Sequence, residues 1–157
     1  MKLTLLCVGR LHQAYLSTGC QTFVTRLKRY LPVSIVEIKE HTSGRKPDPQ
    51  RAVASESEAL AQRIPADSFV IVLDQQGTQM RSEQLADLMQ EHMVRSLPEW
   101  VLVIGGPYGL SAALRQRADL VLSLSMMTLP HQMARLLLLE QLYRCCTIIR
   151  NEPYHHS

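Results

Sequence analysis

The sequence has no apolar run long enough to cross a membrane. Its longest uninterrupted apolar runs are four to five residues, whereas a transmembrane helix needs about 20. The apolar stretch at the amino terminus is also too short for an export signal, and Arg10 follows it closely. We therefore expect a cytoplasmic protein with no membrane partner.

Cysteine is scarce, and its positions form no metal-binding or disulfide pattern. The four residues are Cys7, Cys20, Cys145 and Cys146. The last two are adjacent, and such a pair rarely closes a relaxed disulfide. We therefore expect reduced thiols that pack as small hydrophobic side chains, and no bound metal.

The common nucleotide-binding and hydrolase motifs are also missing. Residues 8–13, in which the first predicted strand ends, lack the glycine-rich turn of a dinucleotide site. The chain contains no P-loop, no H-E-x-x-H and no G-x-S-x-G. These absences argue against dinucleotide-dependent oxidoreductases, kinases, zinc hydrolases and esterases.

The composition fits one globular domain over residues 1–157, with 46% hydrophobic and 20% charged residues. Apolar runs predict strands at residues 3–8, 33–38, 69–73, 100–104 and 119–122. Helical spacing predicts helices at residues 15–31, 50–63, 111–117 and 131–146, and one that Ser82 caps. The alternation predicts an α/β fold with a parallel sheet flanked by helices. Ligands of such sheets bind beyond the carboxyl ends of the strands.

The net charge of +3 is unevenly distributed along the chain. Residues 1–51 carry nine Lys or Arg against three acids, residues 52–110 carry three against eight, and residues 111–157 carry five against three. Arg26, Lys28 and Arg29 lie on the predicted helix 15–31, on the side opposite its apolar face, and Arg45 and Lys46 lie in a polar loop. This clustering indicates either a phosphate-binding surface or simply a solvated face.

Two segments of the last third are candidates for ligand binding. Residues 105–109 place three glycines directly after an apolar strand, either for close approach to a ligand or for a tight turn. Residues 123–130 are apolar but interrupted by hydroxyls, which suits an adenine pocket or a buried connection. His131 follows at a predicted helix start, where the helix dipole lowers the pKa of an imidazole. It is either a base or a solvent-facing residue.

The final helix and the tail also carry unusual residues. Residues 136–139 are four leucines covering every side of the helix, which indicates either a partner subunit or a central core helix. Tyr154, His155 and His156 make the tail capable of stacking and proton transfer, although tails of this kind often fray.

Taken together, these segments resemble the RlmH family, bacterial rRNA methyltransferases of the SPOUT class. The motifs that carry the resemblance are residues 104–109, 123–131, Arg135, residues 140–144 and residues 153–155. The opening strand and the strand that ends at Leu73 and Asp74 match as well, so the similarity covers the whole chain. Tyr108 and His156 depart from the family pattern, in which an acidic and a basic residue are common at these positions.

The resemblance implies a SPOUT domain with a carboxyl-terminal trefoil knot, a homodimer, and S-adenosylmethionine as methyl donor. The implied reaction is methylation of N3 of pseudouridine1915 in 23S rRNA, in the intersubunit region of the assembled ribosome. The implied cofactor-binding residues are Leu73, Gly105, Gly106, Leu124, Ser125, Met126, Met127, Thr128, Leu129 and Pro130. The implied catalytic residues are His131, Arg144, Tyr154 and His155. Two alternatives are a non-catalytic ribosome assembly factor with the same fold and a dimeric hydrolase of a small phosphorylated substrate.

Overall fold

The computed structural model describes residues 1–41 and 48–155 of the chain. The strands within these ranges are β1 (Lys2–Val8), β2 (Val33–Ile38), β3 (Phe69–Gln79), β4 (Glu99–Ile104) and β5 (Leu120–Ser123). They form one sheet in the order β2-β1-β4-β3-β5, and every neighbouring pair is parallel. The predicted α/β class and the parallel sheet are confirmed.

Helices cover both faces of this sheet. They are α1 (Ala14–Leu27), α2 (Pro49–Ala61), α3 (Ser82–Val94), α4 (Ala112–Arg117) and α5 (His131–Ile149). Successive side chains of a strand point to opposite faces, so Trp100 and Leu102 of β4 pack with α1, α3 and α5. Val101 and Val103 pack on the other face with residues of α2 and α4. Burial on both faces explains why the central strands are continuously apolar.

Local hydrogen bonds determine where two of the helices begin. The Asp48 carboxylate accepts from the backbone N–H groups of Gln50 and Arg51 and caps α2 ahead of Pro49. Ser111 caps α4 by accepting from the N–H of Leu114.

The predicted cap of α3 is wrong by one residue. The N-cap is Arg81, and Ser82 is the first helical residue. The Ser82 hydroxyl donates instead to Gln141 Oε1 of α5, at 2.6 Å. A serine before an apolar helical pattern indicates that a helix begins nearby, but it does not fix the capping residue.

Strand β3 continues six residues beyond its predicted end at Leu73. Leu73 and Thr78 both pair with Leu122 of β5, so the pairing register shifts between them; we call this irregular segment of the strand the break in β3. A Cβ atom on Gly77 would lie 2.6 Å from the carbonyl oxygen of Val121, which explains the glycine. The sequence did not predict this extension because the segment is polar and lacks alternating apolar residues.

The chain crosses the sheet between β5 and α5. Strand β5 lies at one edge, whereas α5 begins beside β1, where the buried Arg135 donates to the carbonyl of Gly9 at 2.9 Å and to Glu37 at 2.6 Å. Residues 124–130 therefore pass over the carboxyl ends of β3 and β4. This path is consistent with a trefoil knot, and the knot itself stays a prediction.

Helix α5 is mainly a core helix of its own chain. Leu138 and Leu139 are fully buried, and the side chain of Leu136 fills the space where a Cβ atom on Gly19 of α1 would lie. Leu137 is 38% exposed. The run of leucines thus has partners within the chain on most of its sides, so it no longer requires a second subunit by itself.

The four cysteines have free thiols and are all buried. Burial raises the pKa of each thiol, that of Cys7 to about 12. Their predicted role as small buried hydrophobic residues is confirmed.

Candidate active site

A cavity of about 460 Å³ opens at the carboxyl ends of β4 and β5, beside the break in β3. Residues 73–76, 104–110, 122, 124–125 and 127–129 form most of its wall, and His131 and Ala134 of α5 close one side. These are the strand ends at which the sequence predicted a ligand. The volume lies in the range of small-molecule sites in proteins.

Eight of the ten predicted cofactor-binding residues line the cavity: Leu73, Gly105, Gly106, Leu124, Ser125, Met127, Thr128 and Leu129. The other two do not. Met126 is 86% exposed, and Pro130 is the residue that precedes α5. Cofactor binding by the eight lining residues stays a prediction.

The three glycines of the β4–α4 turn are required for different reasons. Gly109 has a φ of +82°, a conformation that other residues rarely adopt. A Cβ atom on Gly105 would lie 2.9 Å from the carbonyl oxygen of Gly109, and one on Gly106 would lie 2.7 Å from Glu56 Oε2. The space that a side chain would need at Gly105 or Gly106 is thus already occupied by other atoms of the protein. The tight-turn interpretation holds at both positions, although both residues also line the cavity.

The cavity has one charged wall. Arg115 of α4 donates to Asp74 Oδ2 at 3.0 Å, and the other oxygen of Asp74 accepts from the N–H of Gln76 at 2.9 Å. The Arg115 side chain is 39% exposed and lines the cavity together with Asp74. The sequence directed attention to Asp74, but nothing in it linked Arg115 to this site.

Hydrogen bonds join the loops around the cavity. The Thr128 hydroxyl donates to Gln75 Oε1 at 3.1 Å, and the Ser125 hydroxyl accepts from the N–H of Met127 at 2.9 Å. The loop that follows β5 is therefore held against the break in β3.

His131 is the first residue of α5 and lines the cavity. Its pKa is lowered mainly by burial, with smaller contributions from Arg135 and His12, while Glu40 acts in the opposite direction. The predicted direction of the shift is confirmed, although burial rather than the helix dipole is the main cause. A neutral imidazole beside the cavity can accept a proton.

The other three predicted catalytic residues form a separate cluster, which we call the tail cluster. The hydroxyl of Tyr154 donates to Glu140 Oε1 at 3.1 Å, and Arg144 donates to the same oxygen. The guanidinium of Arg144 also stacks 4.9 Å from the Tyr154 ring, and His155 Nε2 lies 2.8 Å from Glu83 Oε1.

The tail cluster is distant from His131 within one chain. Arg144 lies 13 residues after His131 on α5, a separation of about 20 Å along the helix. Within a single chain the four implied catalytic residues therefore do not lie together, and their action on one base stays a prediction that depends on the implied homodimer.

The predicted basic surface adjoins the tail cluster. Arg26, Lys28 and Arg29 are exposed, and the Arg26 guanidinium lies 5.5 Å from the ring centre of Tyr143, which packs against Tyr154. Arg45, Lys46 and His156 lie outside the described residues.

No helix within the described part of the chain is long and apolar enough to cross a bilayer. Over the same residues, no group of three or more His, Cys, Asp or Glu side chains is placed to hold a metal. The absence of a metal stays an expectation.

Comparisons with known proteins agree on one family. The family model described as "Predicted SPOUT methyltransferase" matches residues 1–155. A protein from Syntrophotalea carbinolica is 56% identical over 99% of both chains, and one from Geobacter metallireducens is 41% identical over the full length of both. Both relatives are named "Ribosomal RNA large subunit methyltransferase H".

Two solved structures share the fold at 16% sequence identity. A probable methylase family protein from Haemophilus influenzae gives a TM-score of 0.53 over 99% of this chain and 70% of its own. A probable methyltransferase from Bordetella pertussis gives 0.53 over 92% and 96%. At this identity the similarity concerns the fold alone.

Proposed function

Since this chain belongs to the SPOUT methyltransferases, and among them to the ribosomal RNA large subunit methyltransferase H family, we propose that it transfers a methyl group from S-adenosylmethionine to large-subunit rRNA. The acceptor that we propose is N3 of pseudouridine1915 in 23S rRNA of the assembled ribosome, in the cytoplasm. The observation that carries the proposal is the cavity at the strand ends, with His131, whose pKa is lowered by burial, at its edge.

The cavity fits the methyl donor in size and in chemistry. S-adenosylmethionine, when bound, supplies a methyl group on a positively charged sulfur. Apolar side chains such as Leu73, Leu124 and Leu129 offer a surface for the adenine ring. Asp74 and Arg115 place one negative and one positive charge at the wall, which matches the ammonium and carboxylate of the amino-acid end.

The match between this ion pair and the amino-acid end gives a prediction. Arg115→Met should lower the affinity for S-adenosylhomocysteine by about 10-fold, the lower end of the range for a hydrogen bond to a charged group, because Arg115 is partly solvated. Affinity for methylthioadenosine, which lacks the amino-acid end, should not change. Calorimetric titration of both ligands measures the difference.

Arg117→Met is the matched control, since the Arg117 guanidinium donates to the carbonyls of Ala61 and Ile64 and does not line the cavity. Equal losses of affinity for both ligands in Arg115→Met would contradict this placement of the amino-acid end.

The proposed acceptor needs a base. N3 of pseudouridine is an imide nitrogen, and it becomes a good nucleophile only when its proton leaves. His131 is partly buried and lies beside the cavity, and burial lowers its pKa, so its imidazole can accept this proton. The residues that line the cavity would hold the methyl donor next to it.

The tail cluster can act on the same base only if a second copy supplies it. Arg144 lies about 20 Å from His131 along α5 of one chain, and Tyr154 and His155 lie beside Arg144. A homodimer that places the tail cluster of one copy beside the cavity of the other brings all four predicted catalytic residues together. The exposed basic residues next to the cluster would then face the rRNA phosphates.

We predict that the protein is a dimer at micromolar concentration, as measured by light scattering. Leu137→Glu should shift it toward monomer, because Leu137 is the leucine of α5 least covered by its own chain. Val94→Glu, at a residue that is 79% exposed on α3, is the control and should leave the dimer intact. A monomeric unmodified protein would overturn the dimer and the shared site.

Calorimetric titration with S-adenosylmethionine separates the enzyme from the main alternative. A methyltransferase should bind the donor in the cavity, whereas a non-catalytic ribosome assembly factor with the same fold should not bind it. Absence of binding contradicts the proposed function.

A further inference from the structure

A buried carboxyl group lies directly behind the glycine turn of the cavity. Glu56 of α2 is 3% exposed, and its Oε1 accepts from the N–H of His41 at 2.8 Å. Its other oxygen, Oε2, has no hydrogen-bond partner among the described residues. This oxygen faces Gly106, where a Cβ atom would lie only 2.7 Å away.

The neighbouring residue of α2 contacts the other end of the same connection. The Ser57 hydroxyl is buried and accepts from the N–H of Ser111, the residue that caps α4, at 2.9 Å. Two consecutive residues of α2 therefore face the β4–α4 connection at Gly106 and at its last residue, Ser111. Leu60 and Ala52, both buried, fix α2 against the rest of the chain.

A carboxyl group is an unfavourable choice for a purely structural contact at this place. Burial raises the pKa of Glu56, and Glu40 raises it further, while the hydrogen bond from His41 and the charge on the His41 side chain act in the opposite direction. An unpartnered buried oxygen destabilises the fold, and an apolar side chain of similar size would avoid this effect. Such groups are retained mainly where a site needs them.

We propose that Glu56 is a positioning residue for the methyl donor. The carboxyl group of Glu56 packs against Gly106 and so keeps the glycine turn in the position that the cofactor requires. The inference rests on the proposed function. Glu56 does not line the cavity and acts through the backbone of the turn. Gly106 must accordingly be glycine because the carboxyl group occupies the space of its side chain.

A double-mutant cycle between Glu56 and Gly106 tests the proposal. Gly106→Ala alone should lower the affinity for S-adenosylmethionine by about 10-fold, because its new Cβ atom pushes the turn away from the carboxyl group. In the Glu56→Ala background the contact with the carboxyl group is gone and the milder contact with the Val8 side chain, at 3.1 Å, remains, so the same change should alter the affinity by only about 2-fold. Calorimetric titration gives the four affinities, and urea unfolding of the ligand-free proteins gives the same cycle for stability.

Conservative and control variants separate positioning from a general loss of structure. Glu56→Gln keeps the shape and the acceptor for His41, so it should bind the donor almost as well as the unmodified protein. Glu56→Ala should raise the KM for the donor while leaving kcat at saturation nearly unchanged. Glu58→Ala, at an exposed residue of the same helix, should change neither. If Glu56→Ala does not fold, Glu56→Asp, which withdraws the carboxyl group from Gly106, takes its place in the cycle.

The outcomes distinguish this inference from the proposed function. An unmodified protein that does not bind S-adenosylmethionine contradicts the proposed function and the inference that rests on it. An unmodified protein that binds, with Gly106→Ala equally harmful in both backgrounds, overturns the role of Glu56 alone.

Discussion

His131→Ala is expected to lower kcat for methyl transfer by about 100-fold to 10,000-fold, the contribution of a positioned general base. His131 is the one predicted catalytic residue that lines the cavity of its own chain. Because the imidazole is proposed to act on the acceptor proton, the affinity for S-adenosylmethionine should change much less than kcat. Single-turnover methyl transfer to ribosomes, with a parallel calorimetric titration, measures both quantities.

The pH dependence gives the same prediction a second readout. Burial lowers the pKa of His131, so the imidazole stays neutral and able to accept a proton below the ordinary pKa of histidine. Activity should therefore fall only as the pH drops through this lowered value, and the acid limb should disappear in His131→Ala. The negative charge of Glu40 raises the pKa of His131, so Glu40→Gln should move the acid limb to lower pH.

His12→Ala is the control for kcat, since the exposed His12 uses its backbone N–H, and not its ring, to bond Gln132. Because the His12 ring helps to lower the pKa of His131, its loss should move the acid limb slightly to higher pH while kcat at the plateau stays nearly unchanged. A His131→Ala variant with unchanged kcat and an unchanged acid limb would show that another group removes the proton.

Gly105→Ala should weaken S-adenosylmethionine binding by about 10-fold to 100-fold, the effect of forcing an extra carbon into a packed site. The new Cβ atom would lie 2.8 Å from the Leu110 side chain and 2.9 Å from the carbonyl oxygen of Gly109. The backbone oxygen cannot move without opening the turn, so the cavity wall should change shape. Titration of the folded variant with the donor measures the loss.

Gly19→Ala is matched to Gly105→Ala. Its Cβ atom would lie 2.9 Å from Leu136, a similarly close contact, but Gly19 is on α1 and does not line the cavity. It should lower stability and leave donor affinity unchanged. A folded Gly105→Ala variant that binds the donor as tightly as the unmodified protein would falsify the assigned cavity.

The sequence predicted the strands well where every residue is buried, and poorly where a strand is polar and partly exposed. The apolar runs that became β3 and β4 predicted strands buried on both faces of a parallel sheet, since few other structures bury such runs. The polar second half of β3 was not predicted, because its pairing with β5 depends on backbone hydrogen bonds after the break at Leu73. The crossing of the sheet by residues 124–130 is likewise invisible in local patterns.

The site was predicted only in part for a related reason. Loops at the carboxyl ends of parallel strands meet at one edge, so Gly105 and Leu124 could be brought together by general rules. Arg115 lines the cavity from α4, and Glu56 lies behind the glycine turn on α2. The spacing of residues along the sequence does not show that these two helices lie close to the cavity. The resemblance supplied the tail residues, but it did not show that Tyr154 and His155 lie far from His131 in one chain.

The most direct test is methyl transfer from labelled S-adenosylmethionine to ribosomes that lack the modification, followed by mass spectrometry of the large-subunit rRNA. We predict label in 23S rRNA, as a methyl group on N3 of one pseudouridine, and much slower transfer to a short naked RNA of the same sequence. The His131→Ala protein, at equal concentration, should incorporate almost no label. A protein that binds both the donor and the ribosome but transfers no methyl group to the rRNA would contradict the proposed activity.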